Sequence, residues 1–137
     1  MRRLTALLAL LLLSMTVNAE ILVVVGEASP IETLNEQEVA NIFMAKTNRL
    51  ADGSRVTPLE LSDQNYKTIF YRKISGKSPS QITSYWTTLI FTGKGKPPKE
   101  FKEKEKLLSE LINNPDAITY ISAEQLSKVM KVVHAFR

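Results

Sequence analysis

Ile21-Leu22-Val23-Val24-Val25 is the stretch whose reading decides the fold. Five consecutive apolar residues, three of them β-branched in a row, make a strand with no polar face, and such a strand must be covered on both sides. A strand covered on both sides implies layers of helix above and below a sheet. The rest of the chain supplies them.

Outward from Val25, Gly26 to Pro30 interrupts the run. Asn35 then reads as a helix N-cap, with Glu38 three residues on completing a capping-box pair. Val39, Ile42 and Phe43 share one face of the helix that follows. Asp52-Gly53 marks a turn. Val56, Leu59 and Leu61 suggest a second strand, and Pro58 points to an edge or irregular position within it. Ser62-Asp63 caps a helix running to about Lys73, with Ile69, Phe70 and Ile74 facing inward. Ser78 caps the next, with Pro79 at its first position, where proline is favoured. Ile82, Tyr85, Trp86, Leu89 and Ile90 repeat along it at helical spacing. Gly93 to Pro98 reads as an open loop, Glu100 to Asn113 as a charged helix with Leu107, Leu108, Leu111 and Ile112 apolar, and Ala117 to Ile121 as a strand. Ala123 to Ser127 reads as a short helix and Val129 to Val133 as a last strand. The order β, α, β, α, α, α, β, α, β predicts an α/β domain with a small, largely parallel or mixed sheet flanked by helices.

Before Ile21, Arg2 and Arg3 precede an apolar run from Leu4 to Leu13, and Val17-Asn18-Ala19 offers a cleavage site. That order is a secretory signal peptide, 1–19, and the apolar stretch is short of the roughly 20 residues a spanning helix needs. The mature domain is then 20–137, or 118 residues (137 minus 19), and its formal charge falls from +4 to +2 once Arg2 and Arg3 leave. The expected location is the periplasm. So weak a positive charge argues against a nucleic-acid partner. The chain has no cysteine, which removes disulfides, thiolate catalysis and cysteine metal sites.

No chemistry-bearing motif stands out. His134 is the sole histidine and has no nucleophile near it, so it reads as structural or surface. Asp52 and Asp63 read as turn and capping residues rather than an acid–base pair. Gly93-Lys94-Gly95-Lys96 reads either as an anion cradle of backbone N–H groups and lysine charge or, more simply, as a connection between helices. Tyr66, Phe70, Tyr71, Tyr85, Trp86 and Phe91 recur at helical spacing and read as core rather than as a stacking surface. No catalytic residue, metal site or cofactor is expected.

Three phrases in order carry a resemblance: Ile42-Phe43-Met44-Ala45-Lys46 with Asp52-Gly53, then Trp86 with Gly93-Lys94-Gly95, then Pro115-Asp116-Ala117-Ile118-Thr119-Tyr120. With them, most of Glu20 to Val133 resembles one lobe of the phosphate-binding proteins of the type II periplasmic class, the substrate-binding parts of phosphate ABC transporters. The resemblance implies a single three-layer-like α/β lobe that binds phosphate or a related small oxyanion for transport or sensing. Its implied partner is an inner-membrane permease or envelope complex, and homo-oligomerisation is left open.

In that family an Arg-Ser-x-Gly-Ser-Gly-Thr phrase after the second strand holds the anion at a helix N-terminus, where free N–H groups and the helix dipole favour negative charge. Here the matching stretch is Leu61-Ser62-Asp63-Gln64-Asn65-Tyr66-Lys67-Thr68. By resemblance the ligand-binding residues are Ser62, Asp63, Asn65 and Lys67. Asp63 either accepts a hydrogen bond from a protonated phosphate or caps the helix. Both glycines, the second serine and the threonine of the family phrase are replaced, and 118 residues make about one lobe where the family closes two around its ligand. The other expectation is therefore a periplasmic protein–protein interaction module that keeps the lobe and has lost the ligand.

Overall fold

The computed structural model describes residues 20–137; the expected signal peptide lies outside the described residues. Five strands form one mixed sheet in the order β3-β2-β4-β1-β5. β1 (Ile21–Gly26) lies near one end of it, antiparallel to β4 (Ala117–Ser122) on one side and β5 (Met130–Phe136) on the other. β2 (Thr57–Leu61) runs parallel to β4 and to β3 (Lys99–Phe101). The sheet is thus mixed, with its parallel part confined to β3, β2 and β4.

The apolar run behaves as its composition requires. Every residue of β1 is buried. Alternate side chains go to opposite faces, as pleating demands: Ile21, Val23 and Val25 enter one core, Leu22 and Val24 the other. β4 repeats the alternation, with Ile118 and Tyr120 in the first core and Ala117 and Ile121 in the second. The first core is covered by α1 (Glu36–Phe43), α2 (Gln64–Ser75) and α3 (Pro79–Phe91). The second is covered by α4 (Lys104–Asn113) through Leu107 and Leu111. The result is three layers, α/β/α. Among the described residues no helix is long and apolar enough to cross a membrane.

The helix starts are where the capping residues place them. Asn35 Oδ1 accepts from the Glu38 N–H at 2.9 Å while Glu38 Oε2 accepts from the Asn35 N–H at 2.8 Å. Ser78 and Gln81 make the same reciprocal pair at the start of α3, with Pro79 inside it. The ends of α1 and α3 share another device. After α3 the Gly93 N–H bonds the Ile90 carbonyl and the Lys94 N–H the Leu89 carbonyl, with Gly93 in the left-handed region (φ 68°). After α1 the Ala45 N–H bonds the Ile42 carbonyl and the Lys46 N–H the Asn41 carbonyl, with Ala45 itself left-handed (φ 56°). Both are Schellman stops, and at Ala45 a Cβ occupies the place that glycine fills without strain.

Several expectations need correction. Pro58 lies in an interior strand, paired with Ile118 of β4; β3 joins β2 only from Leu59 onward, beyond the proline. Lys99–Phe101 is a strand, not the start of the charged helix, which begins at Lys104. Ile69 and Ile90, taken as inward, are exposed, as are Phe91 and Ile112. Trp86, Phe70 and Tyr71 are core as expected, but Phe91, at the end of α3, has left the buried face altogether (92% exposed). Leu126 onward leaves the expected short helix as a single 3-10 turn, Ala123–Gln125, and the last strand runs on through His134 to Phe136. His134 is structural: Nδ1 lies 2.9 Å from the Leu34 carbonyl and its ring packs edge-on against Phe136.

The two Schellman stops make a paired prediction. A Cβ at Gly93 would meet nothing within 4 Å, so Gly93→Ala measures the left-handed backbone alone and is expected to cost about 1 kcal/mol. Ala45→Gly relieves the same strain but loses a methyl group packed beside the core, so it is expected to stabilise by less, about 0.5 kcal/mol. Urea denaturation midpoints of the two variants, moving in opposite directions, check both.

Candidate functional site

The N-terminus of α2 is the place where the resemblance implies an anion, and β2 leads directly into it. Leu59-Glu60-Leu61 alternates as a strand must, but both faces of this sheet are covered. The middle residue therefore has no solvent side to turn to, and Glu60 is 1% exposed. A buried carboxylate persists only when it is paired and hydrogen-bonded. Glu60 Oε2 accepts the Tyr71 hydroxyl at 3.0 Å and the Tyr120 hydroxyl at 2.8 Å, and Oε1 lies 3.1 Å from the Lys67 ammonium.

The same lysine has a second partner. In the parallel register Glu60 stands beside Glu100 of β3, a like-charge pair on neighbouring strands. Lys67 Nζ reaches Glu100 Oε2 at 2.8 Å, so one ammonium bridges both carboxylates. Glu100 Oε1 accepts from the Ser62 hydroxyl at 2.8 Å. One residue on, the Asp63 side chain accepts the N–H groups of Asn65 (2.9 Å) and Tyr66 (3.2 Å) and caps the helix.

The electrostatics follow from this geometry. Burial pushes the Glu60 carboxyl above the ordinary carboxylate range, against the pull of Lys67 and the two hydroxyls. Hydrogen bonds from Lys67 and Ser62 hold Glu100 below that range. Burial works to lower Lys67, but its bond to Glu100 and the charge of Glu60 outweigh it and the ammonium is held more firmly than usual. Tyr71 and Tyr120 are pushed far up, first by burial and then by the Glu60 charge, so they remain hydroxyl donors.

Of the four residues the sequence singled out, the structure brings Ser62 and Lys67 together on Glu100. Asp63 serves as the helix cap, and Asn65, exposed, gives its N–H to that cap. The Gly93-Lys94 N–H groups close the end of α3, so they form no cradle. Glu60 and Glu100 were not singled out. Glu60 had a signal, since a charged residue between two leucines in a doubly covered strand requires a buried partner. Glu100 had none, because Lys-Glu-Phe merges with the charged helix after it. The chain has thus placed its own carboxylates on the donors that an anion would use. Counting Glu60, Glu100 and Lys67 as ionised, the cluster carries one net negative charge, and the Asp63 cap adds a second.

No family model matches the chain, and no curated protein matches it in sequence. Solved structures do match it. An ABC-type phosphate transport receptor from Vibrio cholerae is similar to it with a TM-score of 0.60 and 12% identity, over 85% of this chain and 46% of that one. A phosphate ABC transporter substrate-binding type of protein from Clostridium perfringens, solved with bound phosphate, gives a TM-score of 0.59 and 15% identity, over 84% of this chain and 45% of that one. PstS from Borrelia burgdorferi gives 0.56 and 13%, over 84% and 47%. The chain spans less than half the length of these proteins. The fold is that of one lobe of a PstS-like binding protein.

The buried carboxylate supplies a mutational and a pH prediction. Glu60→Leu leaves two buried hydroxyls without their acceptor and the Lys67 ammonium with Glu100 alone, and is expected to cost about 3–5 kcal/mol by urea denaturation. Glu60→Gln keeps an acceptor and costs less. Because the folded-state pKa of Glu60 is raised, the folded protein binds that proton more tightly than the unfolded chain does. Its stability contribution is largest below the ordinary glutamate value and declines as pH rises through the raised one. Denaturation midpoints measured upward from about pH 4 should show that decline in the parent protein and lack it in Glu60→Gln.

Proposed function

We propose that this chain is an exported, periplasmic lobe that keeps the architecture of a phosphate-binding protein and acts through contact with another macromolecule rather than by capturing phosphate. The observation that carries the reading is the Glu100 carboxylate bonded to Ser62 and Lys67, the two donors best suited to hold an anion. An oxyanion entering there must displace a carboxylate that already has both oxygens satisfied, and Glu60 still neutralises Lys67 when it has done so. At close range like charges repel by kilocalories in a partly buried site, so the free energy runs against entry. The helix N–H groups of Asn65 and Tyr66, the other source of attraction, are occupied by Asp63.

Binding of phosphate or a related small oxyanion, for transport or sensing with an inner-membrane permease, is the second reading. It is supported by likeness to solved phosphate receptors, one of them holding phosphate. Against it stands the exposure of a one-lobe site to water, where each contact is weakened and screened by salt. Neither reading assigns a catalytic role to any residue.

Isothermal titration of the folded domain with inorganic phosphate separates them. The expected result is no saturable heat up to about 1 mM phosphate, the range in which a binding free energy would already reach about 4 kcal/mol. Micromolar binding that is lost in Lys67→Ala would overturn the proposal and establish the second reading.

A further inference from the structure

The outward surface of α3 differs from every other helical surface among the described residues. Pro79–Phe91 contains no charged residue. At about 100° per residue, Ser80, Ser84, Thr87 and Phe91 line up on the side opposite the buried Ile82 and Trp86, and all four are exposed. The threonine hydroxyls do not face the solvent as free donors. Thr83, Thr87, Thr88 and Thr92 each donate to the carbonyl four residues earlier, on Pro79, Thr83, Ser84 and Thr88, which leaves their methyl groups outward. Such a face is cheap to dehydrate. It ends in Ile90, 57% exposed, and Phe91, 92% exposed, two large apolar side chains open to solvent.

Charge frames this face with one sign. From Gln64 to Lys99 the chain has seven basic residues and no acidic one. Of these, Lys67 is consumed by Glu60 and Glu100. Lys77 stands at the start of α3 over the Tyr85 ring, 5.8 Å from its centre. Lys94 and Lys96 flank Gly95, which packs against Leu89 and Ala45 at the other end, where Lys46 follows Ala45 in the chain. All three of the latter lysines are exposed.

We infer that the outward face of α3 is a docking surface for an anionic lipid bilayer, with Ile90 and Phe91 entering the interface and Lys46, Lys77, Lys94 and Lys96 meeting the headgroups. An uncharged helix face with terminal aromatic and aliphatic residues and lysines at both ends suits a membrane plane, where apolar burial and attraction to acidic headgroups add. A second copy of the chain is a poor occupant, because apposed α3 faces would bring like charges together. An acidic protein is the other candidate. The framing cations are lysines, flexible point charges that suit a fluid array of phosphates, whereas protein interfaces are enriched in arginine and depleted in lysine. This inference stands apart from the Lys67 cluster and holds whether or not that cluster admits phosphate.

The test uses residues 20–137, the whole of the fold described above, in flotation with phosphatidylglycerol–phosphatidylcholine vesicles and with pure phosphatidylcholine vesicles. Binding to the mixed vesicles alone, reversed by salt, is expected. The double variant Ile90→Ser/Phe91→Ser should weaken it about tenfold or more, and Lys94→Glu/Lys96→Glu should weaken it by at least as much. Circular dichroism spectra identical to the parent's establish that these exposed substitutions leave the fold intact. No binding to mixed vesicles, or binding unaffected by loss of Ile90 and Phe91, overturns the inference. Binding to polyglutamate but not to vesicles also overturns it and assigns the face to an acidic protein.

Discussion

A single buried carboxylate organises the parallel half of this sheet. Glu60 occupies a strand position with no route to water, so it must find hydrogen-bond partners inside, and it draws them from two other elements: Tyr71 and Lys67 on α2, Tyr120 on β4. Breaking one partner of a buried charge costs far more than a surface ion pair is worth. β2, α2 and β4 are therefore held in one register. Tyr120 and Phe70, stacked at 3.7 Å, continue the same contact into the aromatic core. The edge strand β3 depends on it as well, because Glu100 sits beside Glu60 only as long as Lys67 lies between them.

The antiparallel half obeys a simpler rule. β1 and β4 alternate apolar side chains into two cores, and the polar side chains buried among them are the small hydroxyls Thr119 and Ser122 of β4. The outer edge of β5 is shielded by the chain before α1: the Leu34 N–H bonds the Val133 carbonyl at 2.9 Å, where the strand carries a register shift. A covered and bulged edge resists adding a foreign strand. Among the helices of the described residues, α3 is the one without charge.

What was legible in the sequence follows the same division. Ile21 to Val25, the Asn35 and Ser78 caps and the helical spacing of Ile82 and Trp86 are local signals with local causes, and the structure has them where the residues predict. The order of layers was legible because a strand without a polar face admits no other arrangement. Lys-Glu-Phe was not legible as a strand. Three residues, two of them charged, carry no periodicity of their own and pair only because β2 presents a parallel edge. Phe91 and Ile90 were misread for the opposite reason, since apolar residues at the end of a helical pattern satisfy the pattern whether or not the core still extends beneath them. At the candidate site, Ser62 and Lys67 were singled out by position, but their contacts are made with Glu60 and Glu100, which come from two strands whose adjacency only the fold decides.

The phrases that carry the resemblance are found together in space as well as in order. The Tyr85 hydroxyl of α3 donates to the Met44 carbonyl at the end of α1, and Gly95 packs against Ala45, so the first two phrases are one joint between helix ends. The third opens β4, where the Thr57 N–H bonds the Asp116 carbonyl and begins the parallel pairing. All three specify how helices stop and where a strand enters. None supplies a donor to the N-terminus of α2. A sequence can therefore satisfy every framework requirement of this lobe while its ligand chemistry changes freely, because the two are encoded at different positions. Here Asp63 takes the N–H groups of Asn65 and Tyr66, and Glu100 takes Ser62 and Lys67. At the start of α2 the negative groups on those donors are the carboxylates of Asp63 and Glu100.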